Sequence, residues 1–113
     1  MPRAATTSDV FNAIAEPARR DLLAFLAARE RAVNDIVTEL RLPQPSVSKH
    51  LRVLRDTGLV DARRDGRQVF YRTNAGALKP VHDWAGMFET HWRRQLLRIK
   101  ERAERGTPPK ADK

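Results

Sequence analysis

The sequence predicts a mainly α protein with one small β-hairpin, in the order helix, helix, helix, helix, hairpin, helix. Three observations carry that expectation. Apolar residues recur at three- and four-residue spacing up to Leu54 and again from Ala77 onward. One alternating stretch, residues 59–73, is split by Asp65-Gly66. Pro17, Pro43, Pro45 and Gly58 fall at the joints between these stretches.

Thr7 or Ser8 can cap a first helix, with Val10, Phe11 and Ile14 on one side. Pro17 suits the first turn of a second helix, whose apolar stripe is Leu22, Leu23, Phe25 and Leu26. Residues 29–32 make a short polar link. Asn34 is the expected cap of a third helix, in which Val33, Ile36, Val37 and Leu40 recur at i, i+3, i+4 and i+7. The run Leu42-Pro43-Gln44-Pro45 breaks it and Pro45 opens a fourth helix. Val47, Leu51 and Leu54 form that helix's apolar face, and Gly58 ends it in the left-handed conformation glycine permits.

Residues 59–64 and 67–73 alternate, and an Asp-Gly pair between alternating segments is the strongest short-range hairpin signal. From about 77 to 105 the helical period returns. Leu78, Val81, Ala85, Phe88, Trp92, Leu96 and Ile99 approximate a heptad seam, and Pro80 marks either the first turn or a kink. The expected organisation is a flexible start over 1–6, one domain over 7–105 and a disordered tail over 106–113. Two short helices joined by a tight turn and followed by a hairpin make a winged helix-turn-helix.

Composition bounds the function. A chain of 113 residues is one domain, and at this size it buries its surface inefficiently, so self-association would help it. It has no cysteine, which excludes disulfides, thiolate metal sites and a cysteine nucleophile, and fits a reducing cytoplasm. The first ten residues lack the apolar core of a signal peptide, and no run approaches the ~20 apolar residues of a membrane span. A soluble, cytoplasmic protein is expected. An enzyme fails on materials. There is no glycine-rich phosphate loop and no carboxylate pair in an apolar setting, and Ser46 and Ser48 have no nucleophile-elbow context.

The net charge of +8 is unevenly spread. Residues 41–72 carry eight basic and three acidic side chains, and residues 93–113 eight and three again, while the rest of the chain is slightly acidic. Clustered positive charge is the footprint of a polyanion partner. The first block coincides with the fourth helix and the hairpin. On a helical wheel with Val47 inward, Ser48, Lys49 and Arg52 point away, with Ser46 on a flank. Short polar groups at a helix start reach base edges, and longer basic ones pin flanking phosphates. Gln44, Ser46 and Ser48 therefore suit bases; Lys49 and Arg52 suit phosphate or guanine. His50 lies at the edge of the apolar face, where packing and phosphate contact are both open to it. Arg63, Arg64 and Arg67 crowd the hairpin tip, followed by Gln68 and Arg72. Like charges so close repel, and a phosphate backbone is the partner that relieves them. Duplex DNA is favoured over single-stranded RNA because no aromatic stacking platform is present.

These residues carry a family resemblance. The stretch Ala15-Glu16-Pro17-Ala18-Arg19-Arg20-Asp21-Leu22-Leu23, the run from Pro45 to Leu54, and the segment from Gly58 through Arg63-Arg64-Asp65-Gly66-Arg67 to Tyr71-Arg72 resemble the arsenical-resistance repressor (ArsR/SmtB) family of winged-helix transcription factors. The resemblance implies a homodimer, held by the first and last helices, that represses by binding a sequence-specific, inverted-repeat operator in double-stranded DNA. The interface would then draw on Val10, Phe11, Ile14, Val81, Trp84, Phe88, Trp92, Leu96 and Ile99.

Metal-sensing relatives carry two cysteines, one residue apart, at the third helix; here Ala32 and Asn34 stand in those places, so that site is absent. His82, Asp83, Glu89 and His91 do not reproduce the family's last-helix metal pattern, and nine positions put His82 and His91 on opposite faces. No metal or cofactor is expected. Trp84, Phe88 and Trp92 read either as a small-molecule pocket or as dimer core, and their heptad spacing favours the core. The expected partners are duplex DNA, a second copy of the chain, and an effector whose identity the sequence does not give.

Overall fold

The computed structural model describes residues 6–106; the expectations for the chain ends outside that range concern residues not described. The elements are α1 (Thr7–Ala13), α2 (Pro17–Ala28), β1 (Arg31–Ala32), α3 (Val33–Leu40), α4 (Gln44–Asp56), β2 (Val60–Asp65), β3 (Gln68–Thr73), a 3-10 turn (Ala75–Leu78), α5 (Lys79–Gly86) and α6 (Glu89–Gly106). The chain divides into two compact units, up to Val81 and from His82.

In the first unit, α1 is capped by Thr6 rather than Thr7 or Ser8. Asp9 decides this: Thr6 Oγ1 accepts from the Asp9 amide at 3.1 Å, and the Asp9 carboxylate accepts from the Thr6 amide at 3.0 Å. Two orphan donors are thus satisfied reciprocally, which a start one or two residues later would forgo. Helix α2 begins at Pro17 as its sequence requires. The expected polar link contains β1, which pairs antiparallel with β3 through Arg31 opposite Tyr71 and Ala32 opposite Phe70. That pairing holds Ala32 extended, so α3 starts directly after it, with Ala32 and not Asn34 at the cap.

The three-stranded sheet has the order β1-β3-β2. Asp65 pairs with Gln68, so the hairpin loop is Gly66-Arg67, one residue later than Asp65-Gly66. Gly66, at φ 66°, supplies the positive dihedral that a two-residue loop of this kind needs at its first position.

The joint from α4 into β2 is a Schellman turn. The Gly58 amide donates to the Arg55 carbonyl at 3.0 Å, the Leu59 amide to the Leu54 carbonyl at 2.9 Å, and Gly58 sits at φ 79°. Leu54 and Leu59, both fully buried, supply the accompanying apolar contact. Asn74 fastens the turn from the far end of the sheet, its backbone amide donating to the Leu59 carbonyl and its side-chain amide to the Gly58 carbonyl. Thr73 Oγ1 donates to the Leu23 carbonyl at 2.7 Å and ties β3 to α2.

The core gathers Val10, Ala13, Leu22, Leu23, Leu26, Ile36, Val47, Leu51, Leu54, Leu59 and Val60. The apolar faces read for α2 and α4 point into it, and of the α3 stripe Ile36 is fully buried. At roughly 1.5–3 kcal/mol per fully buried aliphatic side chain, this cluster is what holds the helices and sheet together.

The expected continuous last helix is interrupted. After Gly86 the bonding tightens: the Met87 amide donates to the Trp84 carbonyl and the Phe88 amide to the Ala85 carbonyl, each three residues back. Helix α6 then restarts with Trp92 donating to Phe88. Glycine inside a helix weakens it, and the break falls there. Pro80 lies in the first turn of α5, where its missing amide costs nothing.

Candidate nucleic-acid interface

Helix α4 presents its start without a side-chain cap. Pro43 holds the cap position and Pro45 has no amide hydrogen, so the Gln44 and Ser46 amides open the helix towards whatever anion approaches. Val47, Leu51 and Leu54 are buried, and their burial fixes the helix's rotation. Gln44, Ser48, Lys49 and Arg52 are consequently exposed, with Ser46 half-buried beside them. Among the described residues, none of these five makes a side-chain hydrogen bond or ion pair within the chain.

His50 is drawn the other way. It is half-buried, and its Nδ1 accepts from Arg19 Nε at 3.2 Å, joining α4 to α2. Burial and the Arg19 charge both push its pKa below the ordinary histidine value, so the ring is neutral with its proton on Nε2. Arg19 itself is anchored by donating to the Ala13 carbonyl.

The wing arginines are not equivalent. Arg63 donates to both carboxylate oxygens of Glu30, at 2.5 and 3.2 Å, and its guanidinium lies 5.0 Å from the centre of the Phe70 ring across the strand pair. The hydrogen bond from Arg63 holds the Glu30 carboxyl below the usual glutamate range, and the Arg63 and Arg72 charges act in the same direction. Arg64 and Arg67 are exposed and, among the described residues, have no such partner, and Gln68 is exposed beside them. Strand alternation separates the arginines: Arg64 continues the face of Val60 and Ala62, while Arg63 shares the opposite face with Asp61 and Asp65.

Between α4 and β3 lies an open cleft of about 510 Å³ lined by Ser48, Leu51, Arg52, Arg55, Asp56 and Tyr71. Arg55 and Tyr71 were missed by the sequence reading. Arg55 had a signal, since it stands seven residues after Ser48 and three after Arg52, on one side of the helix. Tyr71 becomes visible only once the register sets it opposite Ala62.

Of the residues read as a dimer interface, Val10 is already covered by the chain's own core, and Phe11, Ile14 and Val81 are half-buried. Trp84, Phe88, Trp92, Leu96 and Ile99 are exposed, as are Met87 and Leu97, which the seam had not included. Trp84 meets Phe88 edge to face, ring centres 5.4 Å apart. Among the described residues no three or more His, Cys, Asp or Glu side chains gather as metal ligands would, and no helix is long and apolar enough to cross a membrane.

Comparison with known proteins agrees with this geometry. The model of the arsR family of bacterial regulatory proteins matches residues 16–62. The chain is 30% identical over 77 residues to the transcriptional repressor SdpR of Bacillus subtilis, covering 68% of this chain and 86% of that protein. It is 40% identical over 70 residues to the biofilm growth-associated repressor of Agrobacterium fabrum, covering 62% of this chain and 60% of the relative. With the regulator KmtR of Mycobacterium tuberculosis the identity is 45% over 57% of this chain, which spans only 49% of that protein. Among solved structures, an ArsR-like transcriptional regulator from Rhodococcus sp. RHA1 superimposes with a TM-score of 0.65 at 27% identity, over 86% of this chain and 92% of that one. The chain thus belongs to the arsR family of bacterial regulatory proteins, and its fold is the winged helix-turn-helix.

Proposed function

We propose that the protein is a sequence-specific, double-stranded-DNA-binding repressor that acts as a homodimer on an inverted-repeat operator. The observation that carries the reading is the set of uncommitted side chains on α4 and on the wing that follows it. Gln44, Ser46 and Ser48 stand at the uncapped start of α4, Lys49 and Arg52 follow, and Arg64 and Arg67 tip the wing. Helix α4 enters the major groove in this reading, with the polar groups at base edges and the arginines on phosphates. Arg52 and Arg55 in the cleft meet the backbone between groove and wing.

The homodimer reading rests on the exposed Trp84, Phe88, Trp92, Leu96 and Ile99, an apolar face longer than monomers ordinarily leave in water. The names of SdpR and of the Agrobacterium relative support repression.

The test is retention of genomic fragments by the purified protein, followed by footprinting of the fragment held. A protected region with dyad symmetry and half-sites about one helical turn apart, ~34 Å, is expected. Equal affinity for duplex, single-stranded DNA and RNA, or a footprint without a dyad, overturns the reading.

A further inference from the structure

The second basic block has no role in the interface above. Helix α6 carries Arg94, Arg98 and Arg102 four residues apart, so all three project from one side, with His91 among them. All are exposed. The apolar stripe of Trp92, Leu96 and Ile99 lies about a third of a turn away round the same helix, so a partner seated on that stripe leaves the arginines in water. Two of the helix's other cations are engaged: Arg93 pairs with Glu89 one turn back, and Arg105 lies 3.9 Å from Glu101. Among the described residues, Arg94, Arg98 and Arg102 have no ion pair. Arg98 and Arg102 also line a shallow depression of about 450 Å³ with Glu101 and Arg105.

We propose that this stripe is a second duplex-DNA contact, sequence-blind and separate from helix α4 and the wing, that takes the phosphate backbone. Charge complementarity carries the choice of partner. Unpaired like charges at i, i+4 destabilise a helix by themselves, and a dense line of negative charge removes that penalty. A duplex offers one phosphate per ~1.7 Å of axis, and the three arginines advance ~6 Å apart, so several reach phosphates in many orientations. The three positions are arginine throughout, whose fork grips two phosphate oxygens where lysine offers a point charge. A contact to the phosphate backbone carries no base identity, so it adds affinity without adding specificity.

The proposal rests on the duplex-binding reading, and its experiment separates the two. The triple variant Arg94→Gln/Arg98→Gln/Arg102→Gln keeps good helix formers at exposed positions, and circular dichroism and ultracentrifugation check fold and assembly. Both proteins are titrated with a random-sequence duplex several helical turns long, between ~50 and ~200 mM salt. The variant is expected to lose at least tenfold in affinity at the lower salt. Its slope of log affinity against log salt becomes shallower by about two to three units, close to 0.9 for each lost phosphate contact. Equal slopes for the two proteins overturn the proposal. So does a loss seen with anionic phosphatidylserine vesicles or single-stranded RNA but not with the duplex. If the parent protein binds no duplex at all, the DNA-binding reading has failed and the proposal falls with it. An Arg64→Gln/Arg67→Gln control reports on that interface alone.

Discussion

Glu30 and Arg63 face each other through two hydrogen bonds, with the guanidinium also laid over Phe70. One of the three arginines that crowd the wing in sequence is therefore occupied by the protein itself. Glu30→Gln is expected to release Arg63 and to steepen the salt dependence of duplex binding by up to about 0.9. The melting temperature should hardly move, because exposed pairs contribute little. The pKa of Glu30 is depressed, so the pair's small stabilisation is fully present above the ordinary value of 4.5 and is lost as pH falls through the lower folded value. Salt-dependent affinity of the variant, measured beside the parent, checks the first expectation.

His50 gives a second pH signature. Its neutral form accepts from Arg19, and its folded pKa lies below the ordinary 6.5. The unfolded chain takes up the proton first, so stability is complete above about 6.5 and declines as pH falls through the depressed folded value. His50→Gln, which keeps an acceptor without titrating, should flatten that decline in thermal melts across the acidic range. An unchanged pH profile would show that the decline does not come from the titration of His50.

Gly58 stands at φ 79° with nothing within 4 Å of where a Cβ would sit. Gly58→Ala therefore meets no clash, and its cost is that of the left-handed backbone alone, about 1–2 kcal/mol. Denaturant unfolding should register that loss with an unchanged m-value.

Thr73→Val removes the hydroxyl that donates to the Leu23 carbonyl and leaves that carbonyl without this donor. A loss of about 1–2 kcal/mol is expected, again by denaturant unfolding.

Trp92→Ala probes assembly. Trp92 is half exposed within one chain, so truncation should cost little in the isolated chain. In the proposed dimer the loss approaches that of a buried aromatic, roughly 3–5 kcal/mol. It should appear as a melting temperature that depends on protein concentration. A variant that stays dimeric in the ultracentrifuge and keeps its affinity for duplex would show the interface to lie elsewhere.

What the sequence made legible was whatever one buried face imposes. Val47, Leu51 and Leu54 could be read as inward from their spacing, and with them the outward set on α4 followed. The hairpin was legible for the same reason, up to a one-residue shift in its loop. Strand β1 was not, since two residues carry no period. The occupancy of Arg63 was hidden too, because its partner is 33 residues upstream and meets it only when the sheet forms. The break after Gly86 was masked by the seam itself, which runs through it without a missed apolar position.

The strand order also bears on how copies of this chain can meet. Strand β2 lies at one edge of the sheet and carries Asp61, Arg63, Arg64 and Asp65 among its six residues, while the opposite edge is the two-residue β1. A charged edge and a very short one are both poor templates for adding a strand. Sheet extension is therefore disfavoured at both edges. Any meeting of copies is then expected to run through the exposed apolar helix and not through the sheet.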